Sequence, residues 1–146
     1  MENNLPLSSF LHTFSEFGNI HISIHDFSGI LSHPDLKLDF CDRIHIKRFC
    51  DIAKSTKNGY NACLRCKALA NKKAFLEQKM FYGLCKYGLF EVCQPVVQNG
   101  KTLAVIYVGN IVCDIEKSKA KAQKACRQTG VDFNELQKEF DNAYKG

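Results

Sequence analysis

The chain opens on an apolar row of helical period. Leu7, Phe10, Leu11, Phe14 and Phe17 fall on one helical face and Gly18 follows them, which predicts an amphipathic helix that stops there. The period then drops to two. Ile20, Ile22 and Ile24 alternate with His21, Ser23 and His25, residues 26–29 read as a turn, and Ile30 and Leu31 resume the apolar character before Pro34. This pattern predicts a β-hairpin whose isoleucines face a core and whose histidines face solvent or a pocket.

Helical spacing returns over residues 39–54, where Cys41, Ile44, His45, Phe49 and Ile52 share a stripe and Asp39 is placed to cap it. Gly59 is expected to break the chain. A third helix, "ACLRCKALANKKAFLEQ", then begins with Cys63 and Cys66 in its first turns. After Lys79 three strands are expected: "MFYGLC", "FEVCQPVV" and "TLAVIYVGNIVC". The last two are joined at Asn99-Gly100, a strong two-residue hairpin signal. Pro95 argues against a central position for the middle strand. The nearly unbroken apolar run from Leu103 to Val112 is expected of a strand covered on both faces. Two helices close the chain, one over residues 115–129 stopped by Gly130. The other starts at Asp132 and Glu135 and carries Phe133, Leu136, Phe140 and Ala143.

Helix, two strands, two helices, three strands and two helices describe one α+β domain over residues 1–146. The expected architecture is PAS-like, a five-stranded antiparallel sheet with flanking helices and with the N- and C-terminal helices packed on the domain. No repeat, low-complexity tract or linker divides it.

Composition changes this picture in three ways. The 146 residues include eight Cys, yet the N-terminal "MENNLPLSSF" lacks the basic and apolar regions of a secretory signal, so a cytoplasmic protein with reduced or metal-bound thiols is expected. No segment has the uncharged apolar length of a membrane span, so no membrane partner is expected. The formal net charge of +5 is spread over several helices, which suits a solvated surface and predicts no direct specific DNA binding. A basic nucleic-acid-binding domain survives as a reading on charge alone.

The chemistry-bearing residues are mainly thiols. Cys63 and Cys66, with Cys50 at the end of the preceding helix and Cys85 at the end of a strand, make a candidate set of four soft ligands for zinc or an iron-sulfur cluster. The competing readings are a thioredoxin-type redox pair and simple burial of small apolar side chains. A redox pair lacks its usual context here, since the chain has no Trp and "CLRC" follows another helix. Burial is the expectation for Cys41, Cys93, Cys113 and Cys126, which fall at apolar positions. His45 shares the predicted helical face of Cys41 and is either a metal partner or a hydrogen-bonded core residue. No nucleophile-elbow pattern and no glycine-rich phosphate loop occurs, so no enzymatic activity is expected. A ligand pocket is expected between the sheet and the helix over residues 39–54. Phe49, Tyr82, Phe90 and Tyr107 are its candidate lining.

The succession Phe49-Cys50, "ACLRC", "YGLCKYGL" and "QPVVQNGKTLAVIYVGNIV" resembles the PocR sensory domain, a PAS-like ligand-binding module, over residues 40–112. Lys86 stands where the family commonly has His, and Asn110 where Gln is common. The resemblance implies a sensor of small hydrocarbon derivatives such as diols. Such sensors are often fused to an AraC-type helix-turn-helix output domain in a bacterial transcription regulator, or to a histidine kinase. The closing helix would then relay the bound state to that output module or to the second copy of a homodimer. The resemblance also supports Cys50, Cys63, Cys66 and Cys85 as a group, because they coincide with its motif positions. The alternative is a cytosolic Cys-ligated metal or redox-sensing module.

Overall fold

A computed structural model describes residues 6–146. Five helices, α1 (Leu7–Gly18), α2 (Arg48–Ala53), α3 (Lys57–Glu77), α4 (Ile115–Thr129) and α5 (Phe133–Lys138), surround one sheet. Its strands are β1 (His21–Asp26), β2 (Phe81–Leu84), β3 (Phe90–Gln98), β4 (Lys101–Val112) and β5 (Tyr144–Lys145). The order is β1-β4-β3-β2, antiparallel throughout, and the two-residue β5 runs parallel to the end of β4. The domain is α+β, as its periodicities predict, and consistent with a PAS-like sensory domain.

β4 is the central strand, and the β3–β4 hairpin turns at Asn99-Gly100 with both residues at positive φ, the geometry that matches sheet twist. Pro95 lies past the end of β2, whose pairing covers only Phe90 to Cys93, so β3 carries its proline where it has a single neighbour.

Register decides what each face presents. His21, Ser23 and His25 lie opposite Gly109, Tyr107 and Val105, and Tyr107 in turn lies opposite Cys93. All of these share one face, on which α3 sits through Ala70 and Ala74. Ile22 and Ile24 point to the other face, where they meet Leu7 and Leu11 of α1, Leu31 and Ala104. The largest cluster joins Phe49 and Ala53 of α2 to Val112, to Ala122, Ala125 and Cys126 of α4, and to Leu136 and Phe140.

Several expectations are corrected. The hairpin over residues 20–31 does not form: the Asp26 carboxylate accepts from the backbone N–H of Ser28, Gly29 and Leu31, which winds the chain into a 3-10 turn, Ile30–Ser32. Leu31 is thereby buried, and β1 takes β4 as its partner. The fifth strand is β5 instead. The helix over residues 39–54 is two pieces, a 3-10 turn Phe40–Arg43 and α2, separated by an extended stretch that begins at Ile44. Asp39 and Asp42 cap the first piece, with the Asp39 N–H donating to Asp42 Oδ2 at 2.9 Å.

Gly59 does not break the chain. It sits in the first turn of α3, which Thr56 caps by accepting from the Gly59 N–H, and a Cβ there would lie 2.3 Å from the Ala53 carbonyl oxygen. Gly59 is the residue that lets α2 and α3 approach. Cys63 and Cys66 therefore lie beyond the first turn, away from the free amides of the helix start.

On α1 only the Leu7 and Leu11 side of the stripe packs on the sheet. Phe10, Phe14 and Phe17 stay exposed, because the helix covers β1 at the sheet's edge and no other described residue packs on its far side.

Candidate functional site

A cavity of about 380 Å³ lies between the sheet face that carries the histidines and a wall made by α2, the first half of α3 and the segment before α2. Its volume falls within the usual range for small-molecule pockets, roughly 300–1,000 Å³. Ile44, Phe49, Ala53, Leu64 and Leu89 make it apolar over most of its wall. The floor is polar, built from His21, His25, His45, Lys67, Glu91 and Asn110.

Local sequence places each part. In "LCKYGL", the Cys85 N–H donates to the Leu89 carbonyl at 2.7 Å and the Gly88 N–H to the Cys85 carbonyl at 3.0 Å, a tight turn. Gly88 has φ 92°, and a Cβ on it would meet the Ser118 carbonyl oxygen of α4 at 2.3 Å. Glycine at this position lets the turn sit on α4, and it brings Cys85, Tyr87 and Leu89 to the cavity wall. The Tyr87 hydroxyl bonds Thr129 at 2.8 Å. His45 lies in the extended stretch before α2 rather than on a helix, so it reaches the floor, where its Nε2 pairs with Ser23 Oγ at 3.0 Å. The expected helical face shared by His45 and Cys41 does not exist.

The floor is a connected network. Tyr107 donates to the Asn71 side-chain oxygen, and the Asn71 amide donates to His25 Nδ1 at 3.1 Å, which leaves the His25 proton on Nε2. His21 Nε2 donates to the Ile44 carbonyl at 2.7 Å. Lys67 Nζ lies 4.0 Å above the Tyr107 ring and donates to Glu91 Oε2 at 2.7 Å. Glu91 is buried, and Lys67 shields its charge.

Burial disfavours the charged form of every histidine here. It lowers His21, and with Lys67 it brings His25 down to about 4 and His45 to about 2, so the imidazoles are neutral at pH 7. Burial pushes the Cys50 thiol up to about 12, Cys63 to about 11, and Cys85 upward as well. These three are protonated thiols, not activated thiolates.

All four predicted metal-ligand candidates, Cys50, Cys63, Cys66 and Cys85, line this one cavity. Among the described residues, however, the group of three or more His, Cys, Asp or Glu side chains whose ligand atoms lie within 4.8 Å of one another is His12, Asp39, Cys41 and Asp42. The cavity thiols share a wall without converging. The His12 group is a lock between α1 and the turn before α2, in which buried Asp42 accepts from Ser8 at 2.6 Å and pairs with His12 at 3.0 Å.

Of the four candidate ligand contacts, Phe49 lines the cavity and the other three do not. Tyr107 lies beneath the floor, fully buried under Lys67. Phe90 points to the opposite face because Leu89 and Glu91, its neighbours, face the cavity. Tyr82 stacks on Phe90 at 5.6 Å and is 68% exposed. The alternation of "HISIH" marked His21 and His25 as pocket candidates, whereas nothing local marked Lys67 or Glu91. Cys93 and Cys126 are buried as expected, but Cys113, placed past the end of β4, is exposed.

An α+β domain with a largely apolar cavity against its sheet, floored by neutral imidazoles and a paired lysine and glutamate, belongs in class with binding and sensing modules. The family model described as the sensory domain found in PocR matches residues 6–145, and the chain belongs to that family. No curated protein matches the chain, and no solved structure does.

Proposed function

We propose that this chain is the ligand-sensing domain of a bacterial cytoplasmic regulator, non-enzymatic, and that a small molecule in the cavity sets the state of an attached output domain. One observation carries this reading: the cavity combines apolar walls with a polar floor of neutral imidazoles, Asn110 and the Lys67–Glu91 ion pair, and its lining includes Phe49, Cys50, Cys63 and Cys85, which the sequence resemblance places at family motif positions. A relay would run through Phe49. Phe49 touches the cavity on one side and Phe140, behind α5, on the other, so a ligand that favours one Phe49 position shifts the population of C-terminal arrangements. An AraC-type helix-turn-helix module, in a homodimer, is the output that family membership suggests. No helix among the described residues is long and apolar enough to cross a membrane.

Thermal unfolding of the chain against a library of small diols, acids and aromatics tests the reading. A ligand at about a hundred times its Kd adds roughly 2.7 kcal/mol of stability, which is readily seen as a raised Tm. A broad library without any shift would remove the support. Specific DNA recognition is assigned to the output domain, so gel shifts with this chain alone are expected to be weak and abolished by salt.

A second reading, a zinc, iron-sulfur or redox centre on Cys50, Cys63, Cys66 and Cys85, is favoured by the presence of all four on one cavity wall. It requires those side chains to turn inward together. Elemental analysis and an absorption spectrum of anaerobically purified protein test it: one metal per chain supports it, and a metal-free folded chain with four titratable thiols ends it.

A further inference from the structure

The charge around the cavity is one-sided. Arg43, Lys47, Lys54, Lys67 and Lys86 all line it, and Glu91 is the one acidic residue that does. Glu91 is already paired with Lys67. The other four cations have only neutral partners among the described residues: Arg43 donates to the Leu31 carbonyl, Lys47 to Ser15 and Asn19, Lys54 to the His45 carbonyl and Lys86 to Gln128. Lys47 and Lys86 are tied outward at the rim. Lys67 Nζ lies 4.0 Å above the buried Tyr107 ring and Lys54 Nζ donates to the His45 carbonyl at 3.0 Å, so both ammonium groups lie at the inner end, beside the histidine floor. At this inner end, two ammonium groups against one carboxylate leave one positive charge uncompensated in a partly buried place. Attraction between charges is far less screened there than at the surface.

Three neutral imidazoles add groups that can donate without adding charge, and the apolar wall beside them leaves room for a short hydrocarbon body. A neutral diol would use the hydrogen bonds and leave the charge unmatched. A phosphate dianion would exceed the single excess charge and would find no glycine-rich loop to hold it. We propose that the ligand is a small organic monocarboxylate, its carboxylate between Lys54 and Lys67 and its apolar body against Phe49 and Leu89. This rests on the reading of the cavity as the ligand site and names the chemical class that the site selects.

Thermal shifts on the whole chain, at constant ionic strength, compare carboxylates from acetate through butyrate and octanoate to benzoate with the alcohols and diols of the same carbon skeletons. Chloride and sulfate serve as controls. At least one carboxylate should raise Tm where its alcohol and diol do not, and affinity should fall about tenfold or more in Lys54→Gln but stay near wild type in Lys54→Arg. A diol such as 1,2-butanediol that stabilises as well as butyrate would confirm the cavity as a ligand site and overturn its selection of an anion. Equal shifts from chloride, or carboxylate binding unchanged in Lys54→Gln, would also overturn the proposal. If neither series stabilises the chain, the sensory reading of the cavity falls and the proposal falls with it.

Discussion

The ring of Phe49 in α2 lies 5.0 Å from the ring of Phe140, in the turn after α5, with the planes at 60°. Both residues are almost wholly buried, and Phe49 is also a wall of the cavity. The contact places the cavity one side chain away from the C-terminal segment that would carry a signal.

Phe49→Ala should therefore destabilise the chain by about 3–5 kcal/mol, the usual cost of emptying a large core position, as measured by urea unfolding. Phe49→Leu, which keeps most of the volume, should leave a folded protein whose ligand-induced protection of residues 133–143 in hydrogen exchange is reduced. Unchanged protection in that variant would show that the relay does not run through this pair.

Glu91 and Lys67 make a second prediction. Their side chains are 10% and 19% exposed, so removing one partner strands the other in a poorly hydrated place. Glu91→Ala should cost roughly 1–3 kcal/mol, and Lys67→Met a similar amount. The double variant should cost clearly less than the sum of the two. Additive costs in a double-mutant cycle would mean that the pair is not coupled.

The histidines predict a pH dependence. Their folded-state values lie below the unfolded value near 6.5, so below that pH the unfolded chain binds protons that the native chain refuses. Stability is then full above about pH 6.5 and falls as the pH drops toward the folded values of about 4 for His25 and about 2 for His45. Between pH 6.5 and 5 the two together should remove on the order of 3 kcal/mol, seen in urea midpoints, and His45→Gln should flatten the curve. A flat profile in the wild type would contradict the buried, neutral histidines.

Thiol chemistry offers a fourth check. At pH 8, iodoacetamide should modify Cys113 first, since it is exposed, and Cys50, Cys63 and Cys85 slowly, because burial keeps them protonated. A cavity ligand should slow Cys50 and Cys63 further while leaving Cys113 unaffected. Mass spectrometry of timed aliquots separates the sites. Faster labelling of Cys63 than of Cys113 would contradict the assignment.

Much of this protein was written locally. The alternation in β1, the Asn99-Gly100 turn, the Gly130 stop, the Asp132 cap and the Leu136 and Phe140 stripe depend on residues within a turn or two of one another, and all were legible in the sequence. Short motifs around Phe49-Cys50 and "YGLCKYGL" were enough to place the chain in its family. Other features depended on distant partners. Ile30 and Leu31 had strand character after a turn at residues 26–29, but the Asp26 carboxylate and the burial of Leu31 against α1 diverted them, and β5 filled the fifth place from the far end of the chain.

The cavity floor is the extreme case. His21 and His25 come from β1, His45 from a loop, Lys67 from α3 and Glu91 from β3, and they meet only because β1 docks on β4 in one register while α3 lies across that face. A one-residue slip would turn the histidines and Glu91 to the other side. Periodicity names the face of an element, but only the packing of elements decides what that face meets. That is why Tyr82 and Phe90, plausible by composition, lie outside the cavity, and why Lys67 and Glu91, unremarked in the sequence, form its floor.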